Sequence, residues 1–154
     1  MADVVSLLDE NRIITYHGLK VMNEKPRLAI QVLKSLKKVE TITSRTLAFQ
    51  FGPLLNAAGR LKDADMAVRF LLSNDRLEVE EMAQILDSTN AERREKESEM
   101  IQTSLKLADE QKNNPALVLV SPEFHQGVNG IVATRLVESF YKPVLLLSEN
   151  EGIL

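Results

Sequence analysis

The sequence contains no cysteine and no tryptophan. Without thiols there is neither a disulfide framework nor a thiolate zinc site, and such usage fits a cytoplasmic protein. Aromatic residues make up only 5% of the chain, and the only histidines are His17 and His125. No apolar run reaches the roughly eighteen residues of a membrane-spanning helix, so no membrane partner is expected. The opening stretch MADVVSLLDE lacks the basic start and long apolar core of a secretory signal. Neither a GxSxG elbow nor a Walker A loop occurs, and no HxxxH pair offers itself to a metal. The nearest approach to a carboxylate pair is Asp63 and Asp65 around Ala64. Those carboxylates equally suit the positive end of the helix that follows them. The residues alone therefore spell no complete catalyst.

What is there begins with charge. The net charge of −3 is unevenly spread. Residues 1–70 carry eleven Lys and Arg against seven Asp and Glu, a net of +4. Residues 71–154 carry eight against fifteen, a net of −7. A phosphate footprint, if the chain has one, belongs to the front half. Ordinary scatter of surface charge gives the same counts.

The first seventy residues read as short helices. DENRIITYHGLKVMNE places Ile13, Ile14, His17, Val21 and Met22 near one face, with Asp9 or Asn11 as the cap. KPRLAIQVLKSLKKV has Pro26 at a helix start and Leu28, Ile30, Val32, Leu33 and Leu36 in helical spacing. TSRTLAFQFG, capped by Thr43 or Ser44, is expected to end at Gly52-Pro53. Asn56-Ala57-Ala58-Gly59 then reads as a small-residue turn that brings Arg60 to the start of the next helix, DADMAVRFLLS. The free N–H groups of a helix start attract anions, and an arginine beside them grips phosphate with paired donors. The alternative is a turn that needs glycine for its backbone, with Arg60 a surface residue.

From Asp75 to Gln111 there is neither glycine nor proline, and strong helix formers dominate. This predicts one helix on the order of 50 Å long. Apolar residues mark its ends, Val79, Met82, Ile85 and Leu86 at one and Met100, Ile101, Leu105 and Ala108 at the other. Its polar middle, NAERREKESE, suits a connection between two packed bodies. After Asn113-Asn114-Pro115, the runs ALVLVS and KPVLLLS read as buried parallel strands flanking the helix GIVATRLVESFY. The fold class is thus α/β: an N-terminal helical segment and a long bridging helix, followed by a βαβ portion of an α/β domain. PEFHQGVNG reads as a loop at the carboxyl end of the first strand, where such folds place ligands. His125, Gly127, Gly130 and Arg135 are its candidate anion binders; capping by His125 and close packing at the glycines are the alternative.

Four stretches, ADVVSLLDENR, FGPLLNAAGRLKDADMAV, LDSTNAERREKE and FHQGVNGIVATRLVESFYKPVLLLS, resemble in order and spacing the bacterial RecJ single-stranded-DNA exonucleases of the DHH phosphoesterase superfamily. The resemblance covers nearly the whole chain. It implies that residues 1–74 are the helical end of a DHH catalytic region with a phosphate-binding turn. Residues 75–112 become the interdomain helix, and 113–154 part of a DHH-associated α/β domain. Asp3 falls on the family's last metal-ligand aspartate; the other ligands and the Asp-His-His motif have no counterpart, so the chain reads as an internal fragment, inactive alone.

In the parent protein the resemblance implies 5′-to-3′ phosphodiester hydrolysis in DNA repair and recombination, with Mn²⁺ or Mg²⁺ as cofactor. It makes Arg60 a binder of the terminal phosphate, Asn56 and Gly59 guides for the strand, and His125, Gly127, Gly130 and Arg135 part of the second domain's DNA-facing or interdomain edge. Single-stranded DNA is the expected partner, with replication or repair proteins beside it. Two other functions are consistent with the sequence: a protein-interaction module built on the long helix and the acidic half, and a DHH phosphodiesterase acting on small oligonucleotides.

Overall fold

The computed structural model describes residues 5–148. Among these residues seven α-helices and two strands follow one another: α1 (Asp9–Glu24), α2 (Leu28–Leu36), α3 (Ser44–Thr46), α4 (Gly52–Leu61), α5 (Asp65–Leu72), α6 (Arg76–Glu110), β1 (Leu117–Ser121), α7 (Gln126–Phe140) and β2 (Val144–Ser148). A π-helical segment, Leu47–Phe51, joins α3 to α4. The chain divides into two compact units, and the division falls inside α6, after Asn90.

The first unit is helical. Ala29, Ile30, Val32 and Leu33 of α2 are buried with Phe51, Leu54, Phe70, Val79, Met82 and Leu86. On α2 and α6 these positions recur at helical spacing, so each of those helices buries a single stripe. Two polar devices fix the path of the chain between α2 and α3. Asn23 donates from Nδ2 to the carbonyl of Ile42 (2.9 Å) and accepts the Ile42 N–H at Oδ1 (2.8 Å), tying the end of α1 to a residue nineteen positions on. Past the end of α2, Val39 N–H donates to Lys34 O (2.9 Å) and Lys38 N–H to Ser35 O (3.2 Å), with Lys38 at φ 53°. That paired closure is a Schellman motif, and its left-handed position is the one glycine usually occupies.

Several expectations fail here for physical reasons. Leu8, not Asp9 or Asn11, stands at the N-cap of α1 and offers no side-chain bond; the Asn11 amide donates to Ser6 O instead. The cap of α3, by contrast, is Thr43, one of the two residues expected there, in a reciprocal pair with Thr46. Gly52-Pro53 does not end the helix that precedes it. The backbone stays right-handed helical through Leu47, Phe51 and Gly52, so α3, the π segment and α4 form one rod. Pro53 has no N–H to donate, and it falls where the π-helical segment, closed by the Gly52 N–H on Leu47 O, passes into α4, the place in the rod where the hydrogen-bond register changes.

At the start of α6, Asp75 Oδ1 accepts the N–H groups of Leu77 (2.9 Å) and Glu78 (3.2 Å) and so caps the helix. The Glu78 carboxylate accepts from Ser73 Oγ and from Arg69 Nη2 (3.0 Å). Those two donors, Ser73 foremost, hold its pKa below the ordinary glutamate value. The helix runs unbroken past Thr89 and Asn90. Of its expected apolar positions, Ile85 and Leu105 are exposed, and Ala83 and Leu107 stand in the two cores beside the rest.

In the second unit β1 and β2 pair in parallel, Leu117 opposite Val144 through Ser121 opposite Ser148, with α7 connecting them. Met100 and Ala108 of α6, Leu117 and Leu119 of β1, and Val128, Val132 and Leu136 of α7 form the core. The strands are covered on one face only. Leu117, Leu119 and Ser121 are buried while Val118, Val120 and Leu145 are exposed. The continuous apolar runs lead one to expect two-sided burial, and these helices cover just one side of a two-stranded sheet.

Candidate nucleic-acid interface

In α4, Leu54, Ala57 and Ala58 are fully buried. Their i, i+3, i+4 spacing turns one face to the core, and the alanines allow the backbone to approach it closely. The same periodicity leaves Asn56, Gly59 and Arg60 exposed together on the outer side. These three residues are thus brought together, but not in a turn. Asn56 to Gly59 is helix interior, and Arg60 occupies the last turn of α4. Gly59 has no positive φ, and a β-carbon added there would meet only the Ala64 methyl at 3.6 Å, an ordinary contact. Helix pattern outweighs the glycine: Leu54, Ala57 and Ala58 gain burial that exceeds the roughly 1 kcal/mol a helical glycine costs.

The electrostatics change accordingly. Arg60 lies at the carbonyl end of α4, where a cation is favoured and an anion gains nothing from the helix dipole. The N-terminal donors of α5 are engaged as well: Asp63 Oδ1 accepts the Asp65 N–H at 2.9 Å, and the N–H groups of Met66 and Ala67 donate to the carbonyls of Asp63 (3.3 Å) and Ala64 (3.0 Å). Any affinity for phosphate at this end of α4 comes from the arginine and not from a helix start. Asp63 and Asp65 act as the acidic N-terminal residues of α5, and no cluster of three or more His, Asp or Glu able to hold a metal exists among the described residues. Asp3 lies outside the described residues.

The second group is dispersed. α7 begins at Gln126, not at Gly130, so Gly127 and Gly130 are helical residues and not loop residues. His125 is the N-cap: its Nδ1 accepts the Gly127 N–H at 3.0 Å, and its own N–H points to Met100 Sδ at 3.2 Å. Burial of Val128, Val132 and Leu136 on one face draws the helix start back to this cap. Gly130 is exposed, and a methyl group placed on its α-carbon would meet nothing within 4 Å, so packing does not require glycine there. Arg135 is exposed ten residues beyond His125, about 15 Å along the helix at 1.5 Å per residue. The structure does not bring His125 and Arg135 together. Beside His125 lies a groove of about 450 Å³ lined by Lys96, Glu99, Met100, Thr103, Glu123 and Phe124. A phosphate entering it meets two carboxylates for one lysine.

One feature of the rod escaped sequence reading. Arg45 and Phe49 are exposed, and the Arg45 guanidinium carbon lies 5.8 Å from the centroid of the Phe49 ring. Their i, i+4 spacing was the available signal, in a chain where aromatics are scarce.

No protein-family model matches the chain. Curated proteins do. The sequence is 37% identical over 158 residues to the single-stranded-DNA-specific exonuclease RecJ of Bacillus subtilis, a match that covers 99% of this chain and 20% of that protein. It is 38% identical to RecJ of Haemophilus influenzae, covering all of this chain and 28% of that one. The chain therefore spans between a fifth and three tenths of the length of these relatives. Among solved structures, exonuclease RecJ bound to manganese superposes with a TM-score of 0.86 at 34% identity over 96% of this chain and 37% of its own. RecJ of Thermus thermophilus in complex with Mn²⁺ gives 0.84 at 34% identity, over 96% and 22%. Sequence identity and backbone agreement both extend along the chain, which matches one part of the longer proteins of the RecJ family.

Proposed function

We propose that this chain is the strand-binding part of a RecJ-type 5′-to-3′ single-stranded-DNA exonuclease acting in DNA repair and recombination. Residues 1–74 take the role of the end of the catalytic region, 75–112 that of the interdomain helix, and 113–154 that of part of the DHH-associated domain. Arg60 binds the 5′-terminal phosphate, and Asn56 and Gly59 line the path of the backbone next to it. The observation that carries this reading is the solvent-facing cluster of Asn56, Gly59 and Arg60 in a chain similar to RecJ throughout its length. A guanidinium suits a terminal phosphate because its planar donors reach two oxygens at once. His125, by contrast, is a helix cap beside two carboxylates, so its share in DNA binding is indirect, through the capped start of α7, the helix that carries Gly127, Gly130 and, further along, Arg135.

Mn²⁺ or Mg²⁺ serves the longer enzyme, as in the related RecJ structures solved in complex with these ions. The described residues of this chain do not fit such a site, because they supply no cluster of three or more ligating side chains. Hydrolysis therefore belongs to the longer protein, with Asp3 its one candidate ligand here, and this chain alone binds without cutting. A cytoplasmic location follows from the same role.

A labelled single strand incubated with this chain and Mn²⁺ tests the division of labour. The strand stays intact while its fluorescence anisotropy rises, and the rise falls steeply with added salt. Mn²⁺-dependent cleavage abolished by Asp3→Ala would overturn it.

A second reading, docking of a replication or repair protein, is favoured by α1. That helix buries no residue, and Ile13, Ile14, Tyr16 and Val21 are all exposed. A complex that survives high salt, with no DNA binding at all, supports this reading over the first.

A further inference from the structure

The rod from Ser44 to Leu61 carries more than the arginine at its end. Phe49 is 70% exposed, the most exposed of the phenylalanines, and it sits in the π-helical segment. Packing does not account for it: the core of the first unit takes Phe51 and Phe70, and leaves Phe49 outside. π-Helical turns are rare and cluster at functional positions. The Arg45 guanidinium, 5.8 Å from the ring centroid, covers part of the ring with a positive charge.

Phe49 and Arg60 are eleven residues apart on one continuous helical backbone. Eleven steps of about 100° return to within about 20° of the starting direction, and they advance about 16 Å along the axis. The wider π turn affects only the first two steps, so both residues stay on one side of the rod. Arg45, Phe49, Asn56 and Arg60 are all exposed and form a stripe that alternates cation, aromatic ring, amide and cation. A polyanion whose repeating units carry flat π faces matches that order: charge meets charge at both ends, and a ring meets a ring between them.

We propose that Phe49, backed by Arg45, is a nucleobase-stacking platform on the strand-binding face, occupied by a base a few nucleotides from the phosphate held at Arg60. This rests on the strand-binding reading above and adds a second contact of different chemistry. Stacking of this kind is tolerant of sequence, because every base presents a π face. Arg45 serves the backbone and the ring at once, since a guanidinium over an aromatic ring keeps N–H donors for a phosphate.

The chain has no tryptophan, so Phe49→Trp installs a single tryptophan at the platform, excited apart from the two tyrosines. The probes are a 5′-phosphorylated oligothymidylate and an abasic strand of equal length and charge. Quenching by the thymidylate and not by the abasic strand is expected. Phe49→Ala and Phe49→Leu both weaken thymidylate binding about five- to a hundredfold, the range of one lost base stack, and leave abasic binding unchanged. Arg60→Ala weakens both strands alike. If Phe49→Leu binds as the parent does, the contact is apolar and not stacking, and the proposal falls. If Phe49→Ala changes neither strand while Arg60→Ala weakens both, strand binding stands and Phe49 is a protein-packing residue. If the parent chain binds neither strand, both readings fall together. The high exposure of Phe49 keeps these variants clear of the core, and circular dichroism of each confirms that the helices remain.

Discussion

Gly130 and Lys38 are mirror cases of a residue set against its backbone. Gly130 occupies ordinary helix in α7 with open space around it. Gly130→Ala should raise stability by about 0.5–1 kcal/mol, seen as a higher melting temperature. A loss of stability instead would mean that the backbone there needs glycine. The same variant tests close approach of DNA to this turn: unaltered binding removes Gly130 from the interface. Lys38 occupies the left-handed position that ends α2. Lys38→Gly should stabilise by about 1 kcal/mol, the relief of a side chain held at positive φ. Glu78 gives the pH dependence. Its pKa is lowered in the folded chain by Ser73 and Arg69, so its contribution is complete above the ordinary glutamate range and disappears as pH falls through the lowered value. The stability gap between the parent and Glu78→Gln should therefore be present at neutral pH and close in acid; a gap that widened in acid would contradict the assignment. Gly127 and Gly130 read as loop in the sequence because glycine usually punctuates structure. What decides the matter is the tertiary burial of Val128 together with the local cap from His125.

At the scale of elements, pattern was legible wherever one face is buried. The strands, α2, α5 and the full run of α6 follow directly from apolar spacing and the lack of glycine and proline. The boundary at Gly52-Pro53 was not legible, because local sequence could not show that α4 would continue the same rod. That error moved the arginine from a helix end to a helix start and changed which physics can hold a phosphate. Caps are the cheapest test of these assignments. Asp75→Ala should cost about 1 kcal/mol, by freeing the N–H groups of Leu77 and Glu78. His125→Ala should cost a similar amount, and His125→Asn, a good cap in its own right, should recover most of it. Chemical denaturation measures both. If His125→Asn is as unstable as His125→Ala, the imidazole does more than cap. In the core, Leu54→Ala removes a fully buried side chain from the inner face of the rod and should cost about 2–5 kcal/mol.

For the molecule as a whole, the likeness to RecJ was legible in its motifs, and the uneven charge supports the proposed division of labour. The basic front holds Arg45, Arg60 and the exposed stripe, while the acidic remainder includes the carboxylates beside His125. The one-sided cover of the β-sheet was not legible, since a continuous apolar run reads the same whether one face is packed or two. The central claim is that an arginine at the end of α4 holds the 5′ end of a single strand. Its most direct test is to titrate the chain, and Arg60→Ala beside it, with strands bearing either a 5′-phosphate or a 5′-hydroxyl. Preference for the phosphate in the parent, lost in the variant with both strands then bound equally, is the predicted result. Equal binding of the two strands by the parent, or a preference that survives in Arg60→Ala, would contradict it.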